Sequence, residues 1–181
     1  MKDIYVDFMG GDIKGETQDS KHMAANCIEV GAFSHKITQP KSSTASNAGG
    51  HSAERTEHSE MIFTKDIDKA SAKLWQACSA GTVYPKVTVY FYRAVGGSGT
   101  TQTGGTQSRT NYLKIELRNV LVSSVNTNIS GDAELPTETF GLKYSAVKWT
   151  YAMSKIDGKA AAAMDADGSW DLAKNTASFP A

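Results

Sequence analysis

"KVTVYFYRA", residues 86–94, alternates without a break, and its two faces decide the fold class. Val87, Val89 and Phe91 fall on one face; Thr88, Tyr90 and Tyr92 fall on the other. A period of two is the mark of a half-buried strand, because successive side chains of an extended chain leave opposite sides of the backbone. Tyr112–Ser124 repeats the pattern, with Leu113, Ile115 and Leu117 inward and Lys114, Glu116 and Arg118 outward. After Asn119 the apolar phase drifts through Val120, Leu121 and Val122, which predicts a bulge or register change.

Working outward, Ile4–Phe8 reads as a short strand and Cys27–Ile37 as another. In the second, Ile28, Val30, Ala32 and Ser34 share one face, while Glu29, Phe33 and His35 share the other. Thr137–Met153 is a long strand pattern whose phase switches at Ser145-Ala146, which predicts a bend. Strands that change phase suit a curved sheet closing on itself. One helix stands out, "SAKLWQACSAG", residues 71–81, with Ser71 as its cap, Leu74, Trp75 and Cys78 as its buried stripe and Gly81 as its end. Trp170, Leu172 and Phe179 suggest a last short strand against the body. A mainly β chain with one short helix is a barrel or sandwich with the helix on its side.

Length and charge narrow the function. The 181 residues suffice for one domain, 1–181, with its own core. Nineteen basic and nineteen acidic residues cancel, so no basic field attracts nucleic acid or an anionic membrane. No apolar run has the length of a membrane-spanning helix, and Met-Lys-Asp-Ile-Tyr-Val lacks the apolar core of a cleaved signal peptide. The expectation is a protein made in the cytoplasm that leaves, if it leaves, by a route that reads no such signal. Cys27 and Cys78 make no CxxC pair and read as small buried thiols.

Several stretches invite a chemical reading and fail it. "GGDIKGET", residues 10–17, has the Gly10, Gly15 and Thr17 of a phosphate-binding loop, but Glu16 stands where that loop needs Lys. A carboxylate there repels phosphate, so Gly10 and Gly15 read as turn glycines with angles other residues avoid. "HSAERTEH", residues 51–58, carries two His and two Glu at a spacing that fits no common zinc site. Glu134, Glu138, Asp165 and Asp167 are read as lying in turns or tails, with no fixed carboxylate pair. "GGSGT", residues 96–100, lacks the spacing of a nucleophile elbow. No catalytic, cofactor or metal site is expected. Tyr90 and Tyr92 leave a monomeric sugar-binding β-sandwich as the alternative, and an esterase-like enzyme with an unseen site as a second.

Two long polar segments remain, about 38–60 and about 95–111. Loops of this length are functional or disordered. The second, nearly all Gly, Ser, Thr and Gln, reads as a flexible hairpin tip. The first carries charges.

In order along the chain, "IKGETQDSKH" (13–22), "IEVGAFSHKI" (28–37), "FTKDIDKASAKLWQACSAGTVYPKVTVYFYRA" (63–94), "YLKIELRNVLVSSV" (112–125), "ELPTETFGLKYSAVKWTY" (134–151) and "GSWDLAKNT" (168–176) resemble the Hcp family, the tube protein of the type VI secretion system. The resemblance spans nearly the whole chain and includes Glu16. It implies a β-barrel of two packed sheets with one short α-helix on its flank, and no enzymatic activity. It implies six copies closing into a ring, and rings stacking into a tube that a contractile sheath expels. A spike protein at the tip, small effector proteins in the lumen and export without a signal peptide follow from the same resemblance. This chain departs from the pattern by extra residues between His22 and Ile28 and by the longer 95–111 loop.

Within that frame the 38–60 loop is expected to reach the neighbouring subunit through Thr44, Glu54, Arg55, Glu57 and His58, being too polar to serve its own core. The strand Ile28–Ile37 is expected to line the channel with Ala32 and Ser34, whose face is small and mildly polar.

Overall fold

The computed structural model describes residues 3–40, 55–94, 109–129, 131, 135–152 and 166–180. The described chain runs β1 (Ile4–Asp7), β2 (Ile28–Val30), β3 (Ala32–Ser34), β4 (Ile37–Thr38), β5 (Glu57–His58), β6 (Met61–Asp66), α1 (Ser71–Ala80), β7 (Val83–Ala94), β8 (Arg109–Asn128), β9 (Thr137–Lys143), β10 (Ala146–Tyr151) and β11 (Ala166–Asp171). It is mainly β with one flanking helix, as the alternation predicts.

Nine strands form one antiparallel sheet in the order β2-β1-β7-β8-β9-β6-β3, with β10 branching from β8 and β11 from β10. β4 and β5 make a separate two-stranded ribbon. β2 and β3 sit at opposite ends of the path, yet only Gly31 separates them in sequence. The Gly31 N–H donates to the Thr64 carbonyl of β6 at 2.7 Å. The sheet therefore curls until its ends meet, but no ladder joins β2 to β3. That corrects two expectations: Cys27–Ile37 is two strands broken at Gly31, and the barrel is not closed by hydrogen bonds.

The curl depends on β8. Its first half pairs with β7 on one side and β10 on the other; its second half pairs with β9. The change comes where the sequence drifts: Asn119 takes φ 48°, and the register slips between Val122 and Ser124. The Ser145-Ala146 switch likewise separates β9 from β10. One half of the core is the row Ile28–Val6–Val89–Ile115–Trp149, and the other is Phe33–Phe63–Phe140–Val125. Phe33 meets Phe91 edge-on at 5.1 Å, which joins the two halves. Phe63 and Phe140 are fully buried and stack at 5.1 Å. Burying a side chain of that size contributes about 1.5–3 kcal/mol.

The helix presents Ser71, Leu74 and Ala77 to the core. Gly81 ends it in the left-handed region at φ 65°, as predicted. Its start differs from expectation. Ser71 is the first helical residue rather than the cap; Asp68 Oδ1 accepts the Ala70 N–H at 2.8 Å in front of it. Trp75 is 43% exposed and Cys78 half-buried, because the inward phase runs 71, 74, 77. Cys27 is fully buried and, like Cys78, free.

Candidate assembly surfaces

The near-phosphate loop resolves first. Gly10 has φ 82° and supplies a turn. Gly15 has another reason to be glycine: a Cβ there would lie 2.2 Å from the Cys27 carbonyl oxygen. Its N–H donates to Asn26 O at 2.7 Å, which pins the 12–27 segment on itself. Glu16 faces a cleft of about 240 Å³ lined also by Glu29, Asp66 and Asp68. Four carboxylates around one cleft repel phosphate.

The aromatic pair Tyr90 and Tyr92 is likewise occupied. His22 donates to or accepts from the Tyr92 hydroxyl at 2.9 Å, stacks on Tyr5 at 4.3 Å and packs against Tyr90 at 5.1 Å. Arg109 binds Asp3 at 2.9 Å and the Tyr5 hydroxyl at 3.0 Å, and pairs with Asp19. The segment before β2 thus covers the tyrosines, which leaves no open platform for a sugar ring. Burial pushes the Tyr90 and Tyr92 hydroxyls up and the His22 imidazole down.

Glu138, expected in a turn, is 1% exposed. Its Oε1 lies 2.9 Å from Lys65 Nζ, both side chains fully buried. Ser71 Oγ donates to the same carboxylate at 2.7 Å and Trp75 Nε1 at 3.1 Å, while Lys65 also reaches Asp68 at 2.7 Å. This network joins β6, β9 and the first turn of the helix. Its role is to orient the helix on the sheet; Lys65 and Glu138 are fully buried, and only Asp68 reaches the Glu16 cleft.

Ala32 and Ser34 are exposed on β3. Cross-strand register extends their face in two rows, Ala32–Thr64–Thr139–Asn126 and Ser34–Ile62–Gly141–Ser124. Directly opposed residues in antiparallel strands share a face, so seven side chains and Gly141 form one face, uncharged in these rows and mostly small apart from the exposed Ile62. The Glu60 carboxylate lies over Gly141 within this face and accepts from Ser123 and Ser124. Only Ala32 and Ser34 of this surface were named from sequence; Thr64, Thr139, Ser124 and Asn126 keep the opposite phase to Phe63, Phe140 and Val125, and that phase was the available signal.

Of the expected interface residues, Thr44 and Glu54 lie outside the described residues, as do most of 95–111, the alanine run, Glu134 and Asp165. Arg55 donates to the Leu172 carbonyl of its own chain. Glu57 is exposed on β5. His58 turns inward: its Nδ1 lies 2.8 Å from the Tyr144 hydroxyl, which lies 2.9 Å from His35 Nε2. His35 and Tyr144 were not anticipated as its partners. Among the described residues no group of three His, Cys, Asp or Glu is placed to hold a metal.

Residues 5–151 match the family described as "Type VI secretion system effector, Hcp". Protein hcp1 of Pseudomonas aeruginosa is 34% identical over 148 residues, 82% of this chain and 83% of that protein. A solved type six secretion system protein superposes with a TM-score of 0.78 at 25% identity, covering 97% of this chain and 99% of the other. Hcp1 from Salmonella typhimurium gives 0.68 at 24% identity, covering 97% of each chain, and so shows the shared fold. The strands, the flanking helix and these likenesses together place the chain in the Hcp family, the tube proteins of the type VI secretion system.

Proposed function

We propose that the 181 residues act as one tube subunit: six copies close into a ring, rings stack, and the hole between protomers is the working part. The carrying observation is the mostly small, polar face of β3, β6, β9 and the end of β8, on which the Glu60 carboxylate is held by Ser123 and Ser124. A channel that passes varied cargo needs a wall without strong charge or large apolar patches, and Ala32, Ser34, Thr64, Thr139, Ser124 and Asn126 supply one. The same surface is poor for binding one small molecule tightly, since it has no deep apolar pocket with convergent polar groups.

A ring needs a heterologous contact, one patch meeting a different patch on the next copy. The 38–60 arm provides the first patch. It is rooted on the β4–β5 ribbon beside the channel face, and Glu57 projects from that root. The tube subunit is made in the cytoplasm and exported by the secretion machine, with effector proteins in its lumen, a spike at the tip and the contractile sheath outside. It performs no chemistry of its own.

Deletion of residues 42–56, tested by native mass spectrometry, checks the ring. A folded monomer is expected; a hexamer from the deletion variant refutes the arm's role. Ser34→Arg is expected to keep the ring and lose cargo that co-purifies with it. Normal cargo retention refutes the channel assignment.

A further inference from the structure

The β4–β5 ribbon meets the body at a small polar cluster, and that cluster has a built-in response to acid. His35 follows β3 and His58 ends β5, and the two rings lie 5.9 Å apart. Both aim a nitrogen at the single hydroxyl of Tyr144, at 2.9 and 2.8 Å. Tyr144 is 9% exposed, Trp149 packs on His58 at 6.2 Å, and both imidazoles are half-buried, so the cluster is partly shielded from water. The ribbon above has two residue pairs, Ile37–His58 and Thr38–Glu57; the Ser59 N–H donates to the Lys36 carbonyl, the Lys36 N–H to Ser59 Oγ, and Thr56 Oγ1 to Gln39.

The proton positions follow from the partners. The other nitrogen of His35 meets the Ser59 backbone, which favours a proton there. His35 Nε2 is then the acceptor, the Tyr144 O–H donates to it, and the Tyr144 oxygen accepts the His58 Nδ1–H. The two contacts to the Tyr144 hydroxyl are then complementary, one donated and one accepted, while both rings are neutral. A proton added to His35 Nε2 turns two N–H donors on one hydroxyl and leaves the tyrosine proton without an acceptor. A proton on His58 sets a cation in a half-buried site beside the other ring.

We propose that His35, Tyr144 and His58 form an acid-released latch that holds the β4–β5 ribbon on the sheet, closed when both imidazoles are neutral and opened when they take up protons.

The surroundings do not offset the added charge. On the flanking elements, Glu60 is engaged with Ser123 and Ser124, Lys148 with Asp167, and Arg55 with the Leu172 carbonyl. Lys36 and Lys143 are exposed next to the pair and add positive charge, and Glu57 is exposed on the ribbon. Burial holds both imidazoles below the ordinary value of 6.5, and the His58 charge lowers His35 further. With folded values below the unfolded one, the latch keeps its full strength above about pH 6.5 and weakens as the pH falls below it. The inference concerns the root of the arm within one chain and stands whether or not the arm closes a ring.

Hydrogen exchange read by mass spectrometry on the full chain at pH 7.5 and 5.0, corrected for the intrinsic rate, tests it. Peptides covering 33–38 and 57–60 are expected to lose about tenfold in protection at the lower pH, while those covering Leu117 and Phe140 keep theirs. The double variant His35→Gln, His58→Gln is expected to show no such pH step. Equal protection of the ribbon at both pH values in the unaltered protein, or an unchanged step in the double variant, overturns the latch. Side-chain nitrogen NMR of the unaltered protein gives a reading that needs no variant: both imidazoles are expected to titrate below 6.5, and a midpoint above 6.5 for either ring overturns the proposal.

Discussion

Lys65 and Glu138 stand directly opposite each other on β6 and β9, and their charged ends meet at 2.9 Å inside the protein. They hold inward positions because they continue the phase of Phe63 and Phe140. Removing one partner leaves the other charge buried and alone, which costs about 3–5 kcal/mol. Lys65→Met is therefore expected to lower the stability measured by urea unfolding by that amount. Lys65→Met with Glu138→Leu is expected to recover part of the loss, since no fully buried charge is left alone while Asp68, Ser71 and Trp75 each lose a partner.

Gly15→Ala drives a methyl into the Cys27 carbonyl at 2.2 Å and the Ile28 Cα at 2.6 Å. Both obstacles are backbone, so neither can swing aside. A loss of about 1–3 kcal/mol is expected in denaturant unfolding. Glu16→Lys, which completes the phosphate-loop pattern, is expected to give no nucleotide binding by calorimetry, because Glu29, Asp66 and Asp68 still line the cleft.

Asn119 holds φ 48° at the turn of β8 and donates from Nδ2 to Ser145 Oγ at 2.9 Å. A β-branched residue resists that angle, so Asn119→Val is expected to cost about 1–3 kcal/mol. Asn119→Gly accepts the angle and is expected to cost less. Thermal melts of the two variants rank them; equal melting points would remove the bend from the list of constraints.

Burial, with help from nearby Asp7 and Asp19, pushes the Cys27 thiol up to about 12. Its thiolate is scarce at any working pH, and the sulfur is fully covered. Cys27 is expected to resist iodoacetamide at pH 8 in the folded protein and to react at once in guanidinium. Mass mapping of the alkylated peptide reads the difference. Modification of native Cys27 at the unfolded rate would mean that the 12–27 segment opens freely.

Alternation alone determined that this chain is a mainly β protein, where its long strands bend and where its one helix ends. Those properties are local, set by side chains two or four positions apart and by a glycine's freedom at φ 65°. The same alternation held more than was first drawn from it, since the phase of Phe63 and Phe140 places Lys65 and Glu138 inside. Only the tertiary structure decided that β2 and β3 lie at opposite ends of one curled sheet, that His22 covers Tyr90 and Tyr92, and that His35 and His58 share the hydroxyl of Tyr144. Those partners are separated by 70, 86 and 109 positions in the bonds His22–Tyr92, His58–Tyr144 and His35–Tyr144. No short-range pattern encodes such a meeting; it follows from strand order, which the packing of the whole sheet selects.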